Sequence, residues 1–232
     1  MVIPTEAFAL FDPYKTIASN LKDISPYVKE SIMNIYGIIV DVDLSKYGGL
    51  TAKQVARAVL LDNGFREKDI EPRLDRYMED LPYSYYNVAW SDGVRIAQGS
   101  RELLEELESR NVLVGIVTGE AERVSKMRLE KTKLSGYFKT GAYGEDGMTF
   151  GEILNKALGR IEGEGFQKED GAVIVSDPVS VSIAKTTGIR IIGVVGEGSA
   201  PKSLRAAGAD LVVRSLSEKE KILDFVVTSS HP

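Results

Sequence analysis

At 232 residues, 43% of them apolar and 27% charged, the chain is long enough for one large globular domain or for a core with a smaller insertion. Acidic residues outnumber basic ones 34 to 29, a net charge of −5 that argues against nonspecific nucleic-acid binding and against an anionic membrane surface. With no cysteine, disulfides, thiolate nucleophiles and cysteine-ligated zinc are excluded; the one histidine, His231, sits in a Ser-Ser-His-Pro tail, where neither general-base catalysis nor a histidine metal site is expected.

Apolar strand-like runs alternate with helical patterns along the chain, which predicts an α/β fold with a mainly parallel sheet. The first run, Ala7 to Phe11, delivers one carboxylate, Asp12, into a loop carrying Pro13, Tyr14, Lys15 and Thr16. Helical spacing follows over Ser25 to Tyr36, with Ile24, Val28, Ile32 and Ile35 on one face. A second helix is predicted from Thr51, its N-cap, to the stop at Asn63-Gly64, and a third over Asp69 to Leu81. No strand separates these helices, so they read as an all-helical module at 19–90, inserted into an α/β core of 1–18 and 91–232. Its boundary near Pro82 to Gly93 carries Tyr83, Tyr85, Tyr86 and Trp90. With Tyr77 these rings are expected to pack at the junction; stacking on a ligand is the alternative. Tyr36 to Leu44 also sets an apolar run before two acids, Asp41 and Asp43. Treating it as the site would orphan the Ala7 run, and both acids are expected in solvent.

The core then resumes with a helix over Glu102 to Arg110, a strand over Val112 to Val117 ending at Thr118, and a helix over Glu120 to Leu134. A short strand is predicted over Tyr137 to Ala142 and a helix over Gly151 to Ile161. The strand from Ala172 ends at Asp177. Apolar runs that end in small or acidic residues are what parallel strands show where they carry a site at their C-terminal ends. No apolar run is long enough to span a bilayer and no export signal opens the chain, so the expected location is the cytoplasm.

Four segments, EAFALFDPYKTIA, VLVGIVTGE, AVIVSDPVSVSIAKTTG and IRIIGVVGEGSAPKSLRAAGADLVVRSL, together resemble the haloacid dehalogenase-like hydrolase superfamily. Its members share a strand ending in Asp-x-Asp-Gly-Thr, a strand ending in Thr or Ser, a Lys or Arg, and a strand ending in Asp. The C-terminal third looks like that of phosphoglycolate-phosphatase-like members with a small helical cap. The resemblance implies a Rossmann-like parallel sheet with helices on both faces plus an inserted all-helical cap. It implies a Mg²⁺-dependent phosphomonoesterase that acts on a small phosphorylated metabolite through an aspartyl-phosphate on Asp12. Tyr14 and Thr118 would share the catalytic centre; Lys15, Thr16, Gly119 and Lys156 would bind substrate. Mg²⁺ would be held by the Asp12 carboxylate, the Tyr14 carbonyl and Asp177. A homodimer is compatible with this reading.

Parts of the pattern are missing. Tyr14 stands where the phosphatases carry their acid/base Asp, and a phenol with a pKa near 10 is a poor base at neutral pH. Losing such a group costs a factor of about 10² to 10⁴ in rate. No cation precedes the helix after Thr149; Lys156 lies inside it and reads more simply as solvated. Lys15 replaces a Gly and either substitutes for that cation or faces solvent. Two other readings stay open: a catalytically degenerate binder of a phosphorylated ligand or a protein, and a 2-haloacid dehalogenase-like hydrolase, whose motif carries Tyr two residues after the nucleophile.

Overall fold

The computed structural model describes residues 7–19, 25–41, 43–47, 49–89, 93–196 and 198–228, with residues 14, 15, 19, 44, 45 and 89 in backbone alone. Ile24, Trp90 and His231 lie outside the described residues. Strand β1 (Phe8–Phe11) leads into one helical turn, α1 (Pro13–Thr16), and a short strand, β2 (Ala18–Ser19). Helices α2 (Ser25–Tyr36), α3 (Ala52–Asp62), α4 (Glu67–Ile70) and α5 (Leu74–Ala89) follow before β3 (Arg95–Ile96). From there helix and strand alternate: α6 (Ser100–Ser109), β4 (Leu113–Val117), α7 (Glu122–Thr132), β5 (Thr140–Ala142), α8 (Phe150–Gly163), β6 (Gly171–Val175), α9 (Pro178–Lys185), β7 (Arg190–Val194), α10 (Pro201–Ala207), β8 (Leu211–Val213) and α11 (Lys219–Val227).

Six strands form one sheet in the order β5-β4-β1-β6-β7-β8, every pairing parallel. Strand β1 lies inside it, with Phe11 opposite both Ile116 and Ile174. Because strand side chains alternate between faces, β1 feeds two cores. Ala9 and Phe11 join Leu103, Leu104 and Leu107 of α6 and Ile222 and Leu223 of α11 on one face. Phe8 and Leu10 join Ile153, Leu154 and Leu158 of α8 and Val181 of α9 on the other. A run buried on both faces is why Ala7 to Phe11 reads as continuously apolar. Fully burying one such large side chain contributes roughly 1.5–3 kcal/mol relative to leaving it exposed. This is the expected α/β core with helices on both faces.

The helical insertion has a core of its own, built from Tyr27, Val28 and Ile32 of α2, Val59 and Leu60 of α3, and Tyr77, Met78, Leu81 and Tyr85 of α5. Ala121 and Val124, at the start of α7, belong to the same cluster, so the insertion packs on that part of the sheet domain. Helix α3 opens as expected, with a capping box between Thr51 and Gln54, and its C-terminal turn ends at Gly64, whose φ of 83° suits glycine.

One expectation is corrected. The third helix, expected to stop at Leu81, continues as α5 through Pro82 to Ala89. An interior proline costs a helix about 3 kcal/mol, but here Leu81 and Tyr85 on either side are fully buried, and packing holds the helix through it. The apolar run after Tyr36 forms no strand at 37–41, and Asp41 is exposed, as expected, and pairs with Lys29 at 2.8 Å. The chain also crosses between core and insertion through a feature without a sequence pattern: β2 and β3 pair antiparallel, Ala18 opposite Ile96 and Ser19 opposite Arg95. Among the described residues, no helix is long and apolar enough to cross a membrane.

Candidate active site

The centre of the site follows from β1. Its last ladder bond is Asp12 N–H to the Ile174 carbonyl of β6 at 3.0 Å, and then Pro13 turns the chain into α1. Asp12 precedes that turn as its cap residue, yet its side chain makes no capping bond. The Thr16 hydroxyl donates to the Asp12 carbonyl at 2.6 Å and ties the turn back on itself. Asp12 is 6% exposed and Thr16 3%, so Thr16 acts as a brace on the Asp12 backbone.

Strand β4 ends beside β1 and supplies Thr118, 4% exposed, whose N–H donates to Ala142 at 3.1 Å and whose Oγ1 accepts the Glu120 N–H at 3.3 Å. Gly119 follows because nothing larger fits. A Cβ there would come within 2.8 Å of the Thr51 Cα, and the Gly119 carbonyl accepts the Ala52 N–H at 2.8 Å. Thr51 also donates its hydroxyl to Met148 O at 2.6 Å. The N-terminus of α3 is therefore seated on two core loops.

These contacts enclose a cavity of about 190 Å³ between sheet domain and insertion. Asp12, Thr118, Gly119 and Ser180 line its sheet end; Val28, Val55 and Leu81 give it apolar walls from the insertion. Three further lining residues were not foreseen from sequence: Tyr27, Glu120 and Arg128. Arg128 Nη1 donates to Glu120 Oε1 at 2.7 Å, and Tyr27 Oη donates to the same oxygen at 2.9 Å. The guanidinium lies 5.5 Å from the Tyr27 ring centroid and 5.1 Å from that of Tyr85, within cation–π range. Burial pushes the Tyr27 phenol well above its usual 10.0; the Arg128 charge opposes the shift and Glu120 adds to it.

The cavity thus brings together Asp12, Thr118 and Gly119 of the expected set. Tyr14 and Lys15 follow Asp12 in α1 and are described in backbone alone. Lys156 is exposed on α8 and does not line the cavity. Of the aromatic group, Tyr77 and Tyr85 are buried in the insertion's core, Tyr83 and Tyr86 are exposed, and none lines this cavity.

Asp177 also stands outside the cavity lining. It caps α9, accepting the Ser180 N–H on Oδ1 at 2.9 Å and the Ser180 hydroxyl on Oδ2 at 2.6 Å. Ser180, not Asp177, reaches the cavity wall. Mg²⁺ prefers octahedral oxygen ligation anchored by one or two carboxylates. Of the two carboxylates that line the cavity, Glu120 is committed to Arg128, and no group of three His, Cys, Asp or Glu capable of holding a metal occurs among the described residues. The residues lining the cavity therefore supply Asp12 but not Asp177, the second carboxylate of the ligand set that the resemblance implies.

Solved structures share this architecture. The chain is similar to a protein described as a "predicted phosphatase" from Clostridium acetobutylicum, with 24% identity, coverage of 95% of this chain and 100% of that one, and a TM-score of 0.70. It is similar to a "predicted phosphoglycolate phosphatase" from Haemophilus somnus (12% identity, 94% and 97% coverage, TM-score 0.68). It is also similar to β-phosphoglucomutase from Clostridium difficile (17% identity, 97% and 100% coverage, TM-score 0.66). At these identities the likeness establishes the fold. No curated protein matches the chain. The sequence pattern of one family does match, over residues 9–194, a span running from β1 to the end of β7 and including every strand of the sheet except β8. The chain belongs to the haloacid dehalogenase-like hydrolases.

Proposed function

We propose that this chain is a slow phosphomonoesterase whose nucleophile is Asp12, acting on a small phosphorylated molecule held between the sheet domain and the helical insertion, which serves as its cap. The observation that carries the reading is the convergence of a buried carboxylate, Asp12, with Thr118 and Gly119 at the end of one cavity. A carboxylate oxygen of Asp12 bonds to phosphorus as the ester P–O bond breaks. Water then cleaves the aspartyl-phosphate, releasing phosphate and restoring the carboxylate. The Thr118 hydroxyl and the Gly119 N–H are assigned to the phosphoryl oxygens, as hydrogen-bond donors aimed at developing charge. Lys15, two residues into α1, is assigned as the cation that offsets the meeting of two negative charges. Tyr14 occupies the acid/base place, and its high ordinary pKa keeps turnover slow.

Phosphate release from p-nitrophenyl phosphate and a panel of small phosphomonoesters, for wild type and Asp12→Asn, tests the reading. Slow release abolished in the variant supports it; equal release from both proteins removes Asp12 from the chemistry. A second reading, binding without turnover, is favoured by one observation: Asp177 is committed to Ser180 and stands outside the cavity. Ester that protects the protein against heat without being hydrolysed would select it.

A further inference from the structure

We infer that this pocket takes its phosphorylated ligand without a divalent cation, because the strand end that would bring a second carboxylate to Asp12 has been rebuilt as a helix cap. The inference rests on the phosphoryl-ligand reading for the ligand's identity, and on the geometry of β6 and α9 for the absence of a metal. Strands β1 and β6 are parallel neighbours, and Asp12 N–H closes on Ile174 O, so the residues just after Val175 are the ones that pass beside Asp12. These are Ser176, which is 5% exposed, and Asp177.

Asp177 makes two bonds to one residue. Its carboxylate satisfies the Ser180 N–H, one of the unpaired donors at the start of α9, and takes the Ser180 hydroxyl proton as well. Turning the carboxylate toward Asp12 would release both donors, one of them on the buried Ser180, which is 3% exposed. What the cavity receives from this corner is therefore Ser180, a neutral residue whose hydroxyl hydrogen is already engaged. The other charged groups at the wall, Glu120 and Arg128, are paired with each other at 2.7 Å. The Mg²⁺ site that the resemblance implies is built on two carboxylates, those of Asp12 and Asp177, converging on one ion. Here the described side chains converge Asp12 with hydroxyls and apolar surface.

The test uses Mn²⁺ as the probe, its binding followed by water-proton relaxation on the full chain, together with Asp177→Asn. Asparagine caps helices about as well as aspartate but is neutral, so it separates the cap from a metal-ligand role. Wild type is expected to show no saturable Mn²⁺ site at millimolar metal, and Asp177→Asn to be indistinguishable from it in relaxation, with a thermal midpoint lowered only by loss of the Ser180 hydroxyl bond. Ser180→Asp, which places a second carboxylate at the cavity wall, is expected to create a saturable site. Protection of the wild type by p-nitrophenyl phosphate in thermal shift is expected to be the same with EDTA as with Mg²⁺. Saturable Mn²⁺ binding in the wild type that Asp177→Asn or Asp12→Asn removes would overturn the inference. So would ester protection that appears only with Mg²⁺. If the ester protects under neither condition while Mn²⁺ also fails to bind, the phosphoryl-ligand reading falls and the metal-free pocket stands.

Discussion

Arg128 and Glu120 form an ion pair of 2.7 Å with side chains only 3% and 12% exposed, joining α7 to the loop after Thr118 beneath the helical insertion. Two tyrosine rings, from α2 and α5, cover the guanidinium. A charge buried this deeply persists because its partner and the rings replace the water it has lost.

Removing one member leaves the other charged and dry. Arg128→Met is expected to cost about 3–5 kcal/mol. At about 2–4 °C per kcal/mol for a domain of this size, the thermal midpoint falls by roughly 6–20 °C. Adding Glu120→Gln to Arg128→Met should recover part of the loss. A double variant no more stable than Arg128→Met, measured by calorimetry, would mean that Glu120 is satisfied without Arg128.

Gly119 tests the seat of α3. In Gly119→Ala the new methyl group meets Thr51 Cα at 2.8 Å, so backbone has to move. Overpacking of this kind costs about 1–3 kcal/mol in urea unfolding. The larger effect should be on the site: the N-terminus of α3 lifts from the Gly119 carbonyl, and KM for p-nitrophenyl phosphate rises more than kcat falls. An unchanged KM would separate the α3 seat from ligand binding.

Thr51 itself carries two bonds, to Gln54 N–H and to Met148 O. Thr51→Ala should lose about 0.5–2 kcal/mol as a capping loss, and Thr51→Ser, which retains the hydroxyl, should restore most of it. Equal losses in both variants would point to the methyl group rather than the hydroxyl.

Alkaline titration reports on the buried phenols. Burial pushes Tyr36 and Tyr143 up to about 12, with the Arg73 charge opposing the shift at Tyr36 and Glu122 adding to it at Tyr143. Folded phenols that hold protons more tightly than the unfolded value of 10.0 make the unfolded chain the first to release them. Their contribution to stability is therefore complete below pH 10 and is lost as the pH climbs toward 12. Urea midpoints should decline across that window, with phenolate absorbance lagging behind that of a denatured control. Phenolate absorbance that rises in step with the control would show that these rings are open to water.

The reading of the sequence succeeded where a signal is local. The apolar run into Asp12 marks a strand buried on both faces, and Thr51 marks a helix start as its N-cap. It missed what distance assembles. Tyr27 and Glu120 bond across 93 positions, and nothing near either residue announces the other. Asp177 shows a different limit. An acid at a strand end reads as a ligand, yet Ser180, three residues on, also gives it a helix to cap. Pro82 read as a break because the rule is local, whereas the burial of Leu81 and Tyr85 that overrides it is not.

The small β2–β3 ribbon has a consequence for how this chain can be rebuilt. Ser19 and Arg95 stand opposite each other as strand partners, so everything from position 20 to 94 leaves and re-enters the sheet domain through one doorway, its ends roughly 5 Å apart. A two-residue hairpin turn spans that gap. The helical insertion is thus a cassette: it can be cut out or exchanged for another without altering a single pairing of the six-stranded sheet, while the face of α7 carrying Ala121, Val124 and Arg128 and the core loops at Gly119 and Met148 would need a new surface.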